Sequence, residues 1–289
     1  MIASNNLRGG GERRALSRLG RSAAILAAAI NGLTRAPRAN APARSFTAAR
    51  LTIVSVASIA AFLLCMIFID APVANAARTL PHGVRQFFDW ITDFGKSGWF
   101  LWPLGLIFLF YTFLPKERLT PFAQRVLAAM MVRVGFLFLA ISVPGVFVNI
   151  VKRIIGRARP FVTGIADPFV FAPSKLTAAY ASLPSGHSAT AFSVLVAFGA
   201  LWPRARPVLW TYALLIAASR IVVSAHYPSD VLAGAVVGTV GALMVRRYFA
   251  LRHLGFSLAP DRVPRRFPGP SRRRIKAVAR ALMGKWKRT

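Results

Sequence analysis

The sequence is poor in acid and almost empty of cysteine. Of 289 residues only 8 are Asp or Glu, against 38 Lys and Arg, which leaves a formal charge of +30. The acids are Glu12, Asp70, Asp89, Asp93, Glu117, Asp167, Asp230 and Asp261. Carboxylates this scarce and scattered offer little from which to build an acidic cage for a divalent metal or a paired-carboxylate hydrolase. The single cysteine, Cys65, lies in an apolar run and excludes both an intrachain disulfide and a cysteine-based zinc site.

What is abundant is apolar surface. The chain is 55% hydrophobic, too apolar for an ordinary soluble domain, and the pattern is that of a polytopic membrane protein. Six runs approach the roughly 20 residues a bilayer requires. They are Leu51–Ile69, Ser97–Leu114, Val134–Val151, Ser188–Trp202, Val208–Val223 and Val231–Phe249. The expected fold is all-α: a six-helix transmembrane bundle (51–249) between a basic N-terminal tail (1–50) and a basic C-terminal tail (250–289). The N-terminal tail is rich in Ala, Arg and Ser, and its apolar patch Ala23–Ile30 is too short to span. It reads as disordered or surface-lying, with the composition of an organellar transit peptide as the lesser reading.

Charge gives the orientation. Basic residues fill the first tail, the link around Lys116, Arg118, Arg125 and Arg133, the link with Arg204 and Arg206, and the last tail from Arg246 onward. The positive-inside rule places all of these, and both termini, on the cytoplasmic side. The links 70–96, 152–187 and 224–230 then lie outside. Span 1 ends in Ala74-Asn75-Ala76, which fits a signal-peptidase site, but its length and the long basic stretch before it favour an uncleaved anchor. In the first outer link, Phe87, Phe88, Trp90, Ile91 and Phe94 share one side of a helix and Asp89 and Asp93 another. It reads equally as an interfacial lip guiding a lipid or as a packing cap over the bundle.

The second outer link is basic, which is anomalous for an outside loop and demands a reason. "KRIIGRARP" ends span 3, and Lys152 and Arg159 stand two helical turns apart if the helix continues, although Pro160 forbids simple continuation. "PSGH" then opens span 4: Pro184, Ser185 and Gly186 suit a helix N-terminus, whose free N–H groups and positive dipole end attract an anion. "SRIVVSAHYPSD" contributes Arg220, His226 and Asp230. Pro228 breaks any helix from His226 to Asp230, so His226 falls in the turn and Asp230 in the first turn of span 6. From there a carboxylate can accept the Nδ1–H of His226 and leave the other nitrogen free to attack. Cations, a helix N-terminus and two histidines on one side suit a phosphate and its transfer.

These three segments resemble the three signatures of the phosphatidic acid phosphatase type 2 and vanadium haloperoxidase superfamily, in order, over roughly Asp70 to Phe249. The resemblance implies His226 as the nucleophile that forms a phosphohistidine, Asp230 as its orienting partner, and His187 as general acid and then base. It implies Lys152, Arg159, Ser185, Gly186 and Arg220 as phosphate binders, with no metal and no other cofactor. Haloperoxidase members are typically soluble, so six spans favour the membrane lipid-phosphate phosphatase branch.

Other residues have plainer readings. Arg153 and Arg157 fit no signature position and read as snorkelling side chains. His82 and His253 read as surface residues. Trp99, Trp102 and Tyr111 read as interfacial anchors or bundle contacts, and Gly234 and Gly238 as a helix-packing pair. For the basic tails, anionic lipid headgroups are a simpler partner than nucleic acid. The expected function is hydrolysis of a lipid phosphomonoester or diphosphate at the outer face of a bacterial inner membrane. Undecaprenyl diphosphate, phosphatidic acid, phosphatidylglycerol phosphate and the lipid A phosphates are the candidate substrates. A catalytically silent lipid-phosphate binder or transporter is the alternative.

Overall fold

The computed structural model describes residues 34, 36–37, 48–114, 119–173, 175–259 and 263–286. The expected N-terminal tail, with its apolar patch Ala23–Ile30, lies almost wholly outside the described residues, as do Lys116 and Arg118 of the second link.

The described chain is helical. Helix α1 (Ala48–Leu64) passes through a π-helical turn, Cys65–Ile69, directly into α2 (Asp70–Arg78). There follow α3 (His82–Asp93), α4 (Gly98–Phe113), α5 (Pro121–Ile155), α6 (Gly186–Leu201), α7 (Arg206–Val222) and α8 (Pro228–Leu251). A small antiparallel hairpin, β1 (Phe256–Leu258) with β2 (Pro264–Arg266), and a last helix α9 (Arg272–Trp286) close the chain. Helix occupies all six predicted spans. Four stretches, Thr52–Arg78, Pro121–Ile155, Pro203–Val222 and Pro228–Leu251, are long and apolar enough to cross a membrane. Helices α4 and α6 have 16 residues each, about 24 Å of helix at 1.5 Å per residue.

The bundle is organised around α6, which packs against α5, α7 and α8. Its sequence alternates Ala, Gly, Ser and Thr with larger apolar residues, so neighbouring backbones approach closely. The two glycines of α8 exploit this. A Cβ on Gly234 would stand 2.3 Å from the carbonyl oxygen of Ser185, and one on Gly238 2.2 Å from that of Ala189. The expected packing pair therefore presses the start of α8 against the start of α6. Phe136, Ile141, Val194, Ala242 and Phe249 form the adjoining core. Outward-facing Val54, Leu106, Val146, Leu214 and Met244 are exposed, as on a lipid-facing surface.

Two boundaries differ from the sequence reading. The first helix does not stop at Ile69: it runs to Arg78, so Asp70 belongs to a helix and is fully buried rather than opening a loop. Secondly, α5 ends at Ile155 because Gly156 adopts φ +63, the left-handed cap glycine favours. A Cβ there would also meet Pro173 Cα at 2.5 Å. Lys152 and Arg159 thus do not share a helix.

The basic C-terminal segment folds back on one end of the bundle. Phe256 is buried against Phe136, Arg133 of α5 donates to the carbonyls of Phe267 and Pro268, and Arg246 of α8 donates to that of Pro264. Val278 of α9 packs on Leu119, Ala123 and Val126 near the start of α5.

Candidate active site

Four element ends meet at the opposite end of the bundle: the C-termini of α5 and α7 and the N-termini of α6 and α8. Each end is shaped by its local sequence. Ser185 is the N-cap of α6, its Oγ accepting from the Ser188 amide at 3.5 Å, and its own amide donates to the Asp230 carbonyl at 2.9 Å. The amides of Gly186 and His187 meet no acceptor among the described residues. A helix N-terminus with two free N–H groups is a ready anion site. Pro228 stands at the first position of α8, and Asp230 Oδ2 accepts from the Tyr227 amide at 2.9 Å, a capping arrangement. The turn between α7 and α8 is tied by the Arg220 carbonyl, which accepts from the amides of Ala225 and His226.

The structure brings the expected residues together. Arg159 is within electrostatic reach of His187, His226, Arg220 and Asp230, and Lys152 reaches the group through Arg159. Arg220 Nη1 donates to Thr92 Oγ1 of α3 at 2.6 Å. The Nε groups of Arg159 and Arg220 are buried without a hydrogen-bond partner among the described residues. Buried guanidinium donors lacking partners favour an anion beside them. Gly95, in the turn after α3, backs His187: a Cβ there would meet His187 Cδ2 at 2.9 Å.

His226 is buried, and burial pushes its pKa below the ordinary imidazole value, with the nearby Asp230 carboxylate opposing the shift. Burial likewise pushes the Arg159 guanidinium down, again with Asp230 opposing. His226 Nδ1 stands 3.7 Å from Asp230 Oδ2, longer than a direct hydrogen bond. Ser182 lies between them, donating to Asp230 Oδ2 at 2.6 Å with its Oγ 3.4 Å from His226 Nδ1. The expected direct Nδ1–H contact is thus replaced by one that Ser182 shares. With Nδ1 so engaged, Nε2 is the free nitrogen.

Arg157 corrects the snorkelling reading. Its side chain is fully buried. Nη1 donates to Asp230 Oδ1 at 2.5 Å and to Ser229 Oγ at 2.7 Å, Nη2 donates to Asp70 Oδ2 at 2.8 Å, and Nε donates to the Pro168 carbonyl at 3.0 Å. A guanidinium with two carboxylates inside the protein has no reason to reach for headgroups. Arg153, by contrast, is exposed. Asp70, Thr92, Ser182 and Ser229 are further buried polar residues beside these groups that the signatures did not mark.

Two imidazoles, three nearby cations and a bare helix N-terminus form a site that can hold a phosphoryl group, attack it and protonate what leaves. Comparison with known proteins agrees with that class. The family model described as the PAP2 superfamily matches residues 133–253, which include every expected site residue. A lipid A 1-phosphatase of Rhizobium johnstonii is 36% identical over 206 residues, 71% of this chain and 83% of the relative. One of Rhizobium etli is 37% identical over 209 residues, 72% and 88%. The chain belongs to the PAP2 superfamily, and the resemblance to its membrane lipid-phosphate phosphatase branch is borne out. Among solved structures, Aquifex aeolicus LpxE has a TM-score of 0.44 and 26% identity, covering 61% of this chain and 94% of that one. A transmembrane PAP2-type phosphatidylglycerolphosphate phosphatase from Bacillus subtilis has a TM-score of 0.46 and 20% identity, covering 66% and 93%.

Proposed function

We propose that this protein is an integral membrane phosphatase that removes the 1-phosphate of lipid A, acting at the membrane's outer face through a phosphohistidine on His226. The observation that carries the reading is the convergence of His187, His226, Arg159 and Arg220 at the N-terminus of α6, with Asp230 behind His226. The substrate is the one in the names of both Rhizobium relatives.

The geometry supports the following chemistry. The phosphate oxygens lie among Arg159, Arg220, Lys152 and the amides of Gly186 and His187, where donors match the charge that builds at phosphorus. His226 Nε2 attacks phosphorus and forms an N–P bond while the P–O bond to the lipid breaks. His187 gives the leaving oxygen its proton, then takes one from the water that cleaves the phosphohistidine, and inorganic phosphate departs. Asp230 and Ser182 steady the imidazole through Nδ1. No step draws on a metal ion or another cofactor.

The distribution of charge along the bundle supports the placement. The site is at one end of the bundle, while Arg133, Arg246 and the basic C-terminal segment gather at the other. By the positive-inside rule that basic end is cytoplasmic, in a bacterial inner membrane, and α9 with Arg272, Arg273, Arg274, Lys276 and Arg280 rests on anionic headgroups there.

Phosphate release from purified protein, with chelator present, tests the reading against lipid A, phosphatidic acid, phosphatidylglycerol phosphate and undecaprenyl diphosphate. Lipid A is expected to be cleaved fastest. Binding of lipid A without release of phosphate from any lipid supports the binder or transporter instead. A strict need for added Mg²⁺ contradicts the mechanism.

A further inference from the structure

Asp70 is an acid at the end of an apolar run, immediately after the π-helical turn Cys65–Ile69, and it has no exposed surface. An ionised carboxylate in such a place is costly unless fully paired. Here the pairing is complete. Oδ1 accepts from the Ser229 amide at 2.9 Å, and Oδ2 accepts from Ser229 Oγ at 2.5 Å and from Arg157 Nη2 at 2.8 Å. The other arm of Arg157 holds Asp230 Oδ1. Asp230 Oδ2, on the far side of the same carboxylate, is the oxygen that faces His226. The Tyr227 ring covers the guanidinium, 4.7 Å from its centre to Arg157 Cζ.

We propose that Asp70 and Arg157 are positioning residues for the reaction: by sharing one cation between two carboxylates, they aim Asp230 and set how much negative charge it presents to His226. Neither touches the phosphate. The inference rests on His226 being the nucleophile. Its physical content is a charge balance. With Asp70 present, Arg157 is divided and Asp230 keeps enough charge to stabilise the imidazole as it turns positive during attack. With Asp70 neutral, Arg157 belongs to Asp230 alone and the support for His226 weakens. With Arg157 neutral, two uncompensated carboxylates stand behind His226.

The opposite signs provide the test. Asp70→Asn, Arg157→Gln and the double variant are purified, and kcat/KM for micellar lipid A is followed against pH. His226 faces Ser182, His187, Arg159, Arg220 and Asp230, and only the Asp230 side changes in these variants. Protonated His226 cannot attack, so its titration is the acid limb of the profile. In D70N the limb moves down by about one pH unit, and in R157Q it moves up by a similar amount. The double variant, whose cluster has the wild-type net charge, returns toward the wild-type limb. In D70N kcat falls about tenfold at constant KM, a loss confined to the transition state. A purely structural role gives lost folded protein or a lower kcat with an unmoved limb, and either single variant shifting the wrong way overturns the proposal. If R157Q yields no folded protein, D70N below wild type with the double variant above D70N is the required order, and any other order overturns it. His226→Ala run in parallel separates the two failures: full turnover there sinks the nucleophile and this inference together. A dead H226A beside unmoved limbs sinks the inference alone.

Discussion

Thr92 accepts a 2.6 Å hydrogen bond from Arg220, and the two residues belong to helices that do different work. Arg220 ends α7 at the proposed phosphate site, and Thr92 sits on the buried side of α3, whose other side exposes Phe87 and Trp90. The buried side of α3 fits the packing-cap reading, and a lip that guides a lipid stays a proposal for its exposed side. Its inner face packs on the bundle through Ile91, and its outer face is apolar and open.

Replacing Thr92 by Val keeps the shape and removes the bond. A hydrogen bond to a charged group contributes about 1.5–3 kcal/mol, so kcat/KM is expected to fall roughly 10- to 100-fold. The loss should fall mainly on KM if Arg220 grips the phosphate in the ground state. Steady-state kinetics of T92V on lipid A check this, and an unchanged KM points to a bystander.

Gly234→Ala and Gly238→Ala should each separate α6 from α8, since the added methyl meets a carbonyl oxygen at 2.3 or 2.2 Å. Overpacking of this kind costs about 1–3 kcal/mol, and the displaced element is the helix that carries His187. Both variants should lose thermal stability and activity. Gly145→Ala, with nothing within 4 Å of the new atom, should match or exceed wild-type stability. Thermal unfolding in detergent distinguishes the three.

The acid limb of kcat/KM in the wild type should lie below pH 6.5. Burial favours neutral His226, which means that the nucleophilic form survives to lower pH than a free imidazole would allow. A pH profile with a limb above that value means that the Asp230 charge outweighs burial.

Much of the site was legible because its chemistry is written in local groups. "PSGH" announces a helix N-terminus through Ser185 and Gly186, and Pro228 locates the start of α8 with Asp230 in its first turn. What stayed hidden is held by pairings across the chain. Arg157 meets Asp70 at a separation of 87 residues, and Arg220 meets Thr92 at 128. No spacing rule reaches that far, so Arg157 looked like one more basic residue. A signal was available all the same. Asp70 is one of only 8 acids and stands at the end of an apolar span, where an unpaired charge is expensive. The cap of α5 at Gly156 is of the other kind, a local event that falls just beyond the expected end of span 3 at Val151.

The buried Asp70 also bears on the N-terminus of the working protein. Cleavage after Ala76 would remove Asp70 together with its bonds to Arg157 and Ser229. Leaving a buried charge without its partner costs about 3–5 kcal/mol, so the active protein should retain span 1. Intact mass of the membrane-extracted enzyme should include residues 51–76. A mature chain beginning at Ala77 with full activity would contradict the role given to Asp70.

The central claim is that His226 carries the phosphoryl group. Lipid A labelled with 32P at its 1-phosphate, mixed with enzyme and quenched in alkali within one turnover, should leave label on the peptide containing His226. The N–P bond is acid-labile and base-stable, and the label should be absent from His226→Ala. Full phosphate release by H226A, or label recovered on a different residue, contradicts the account.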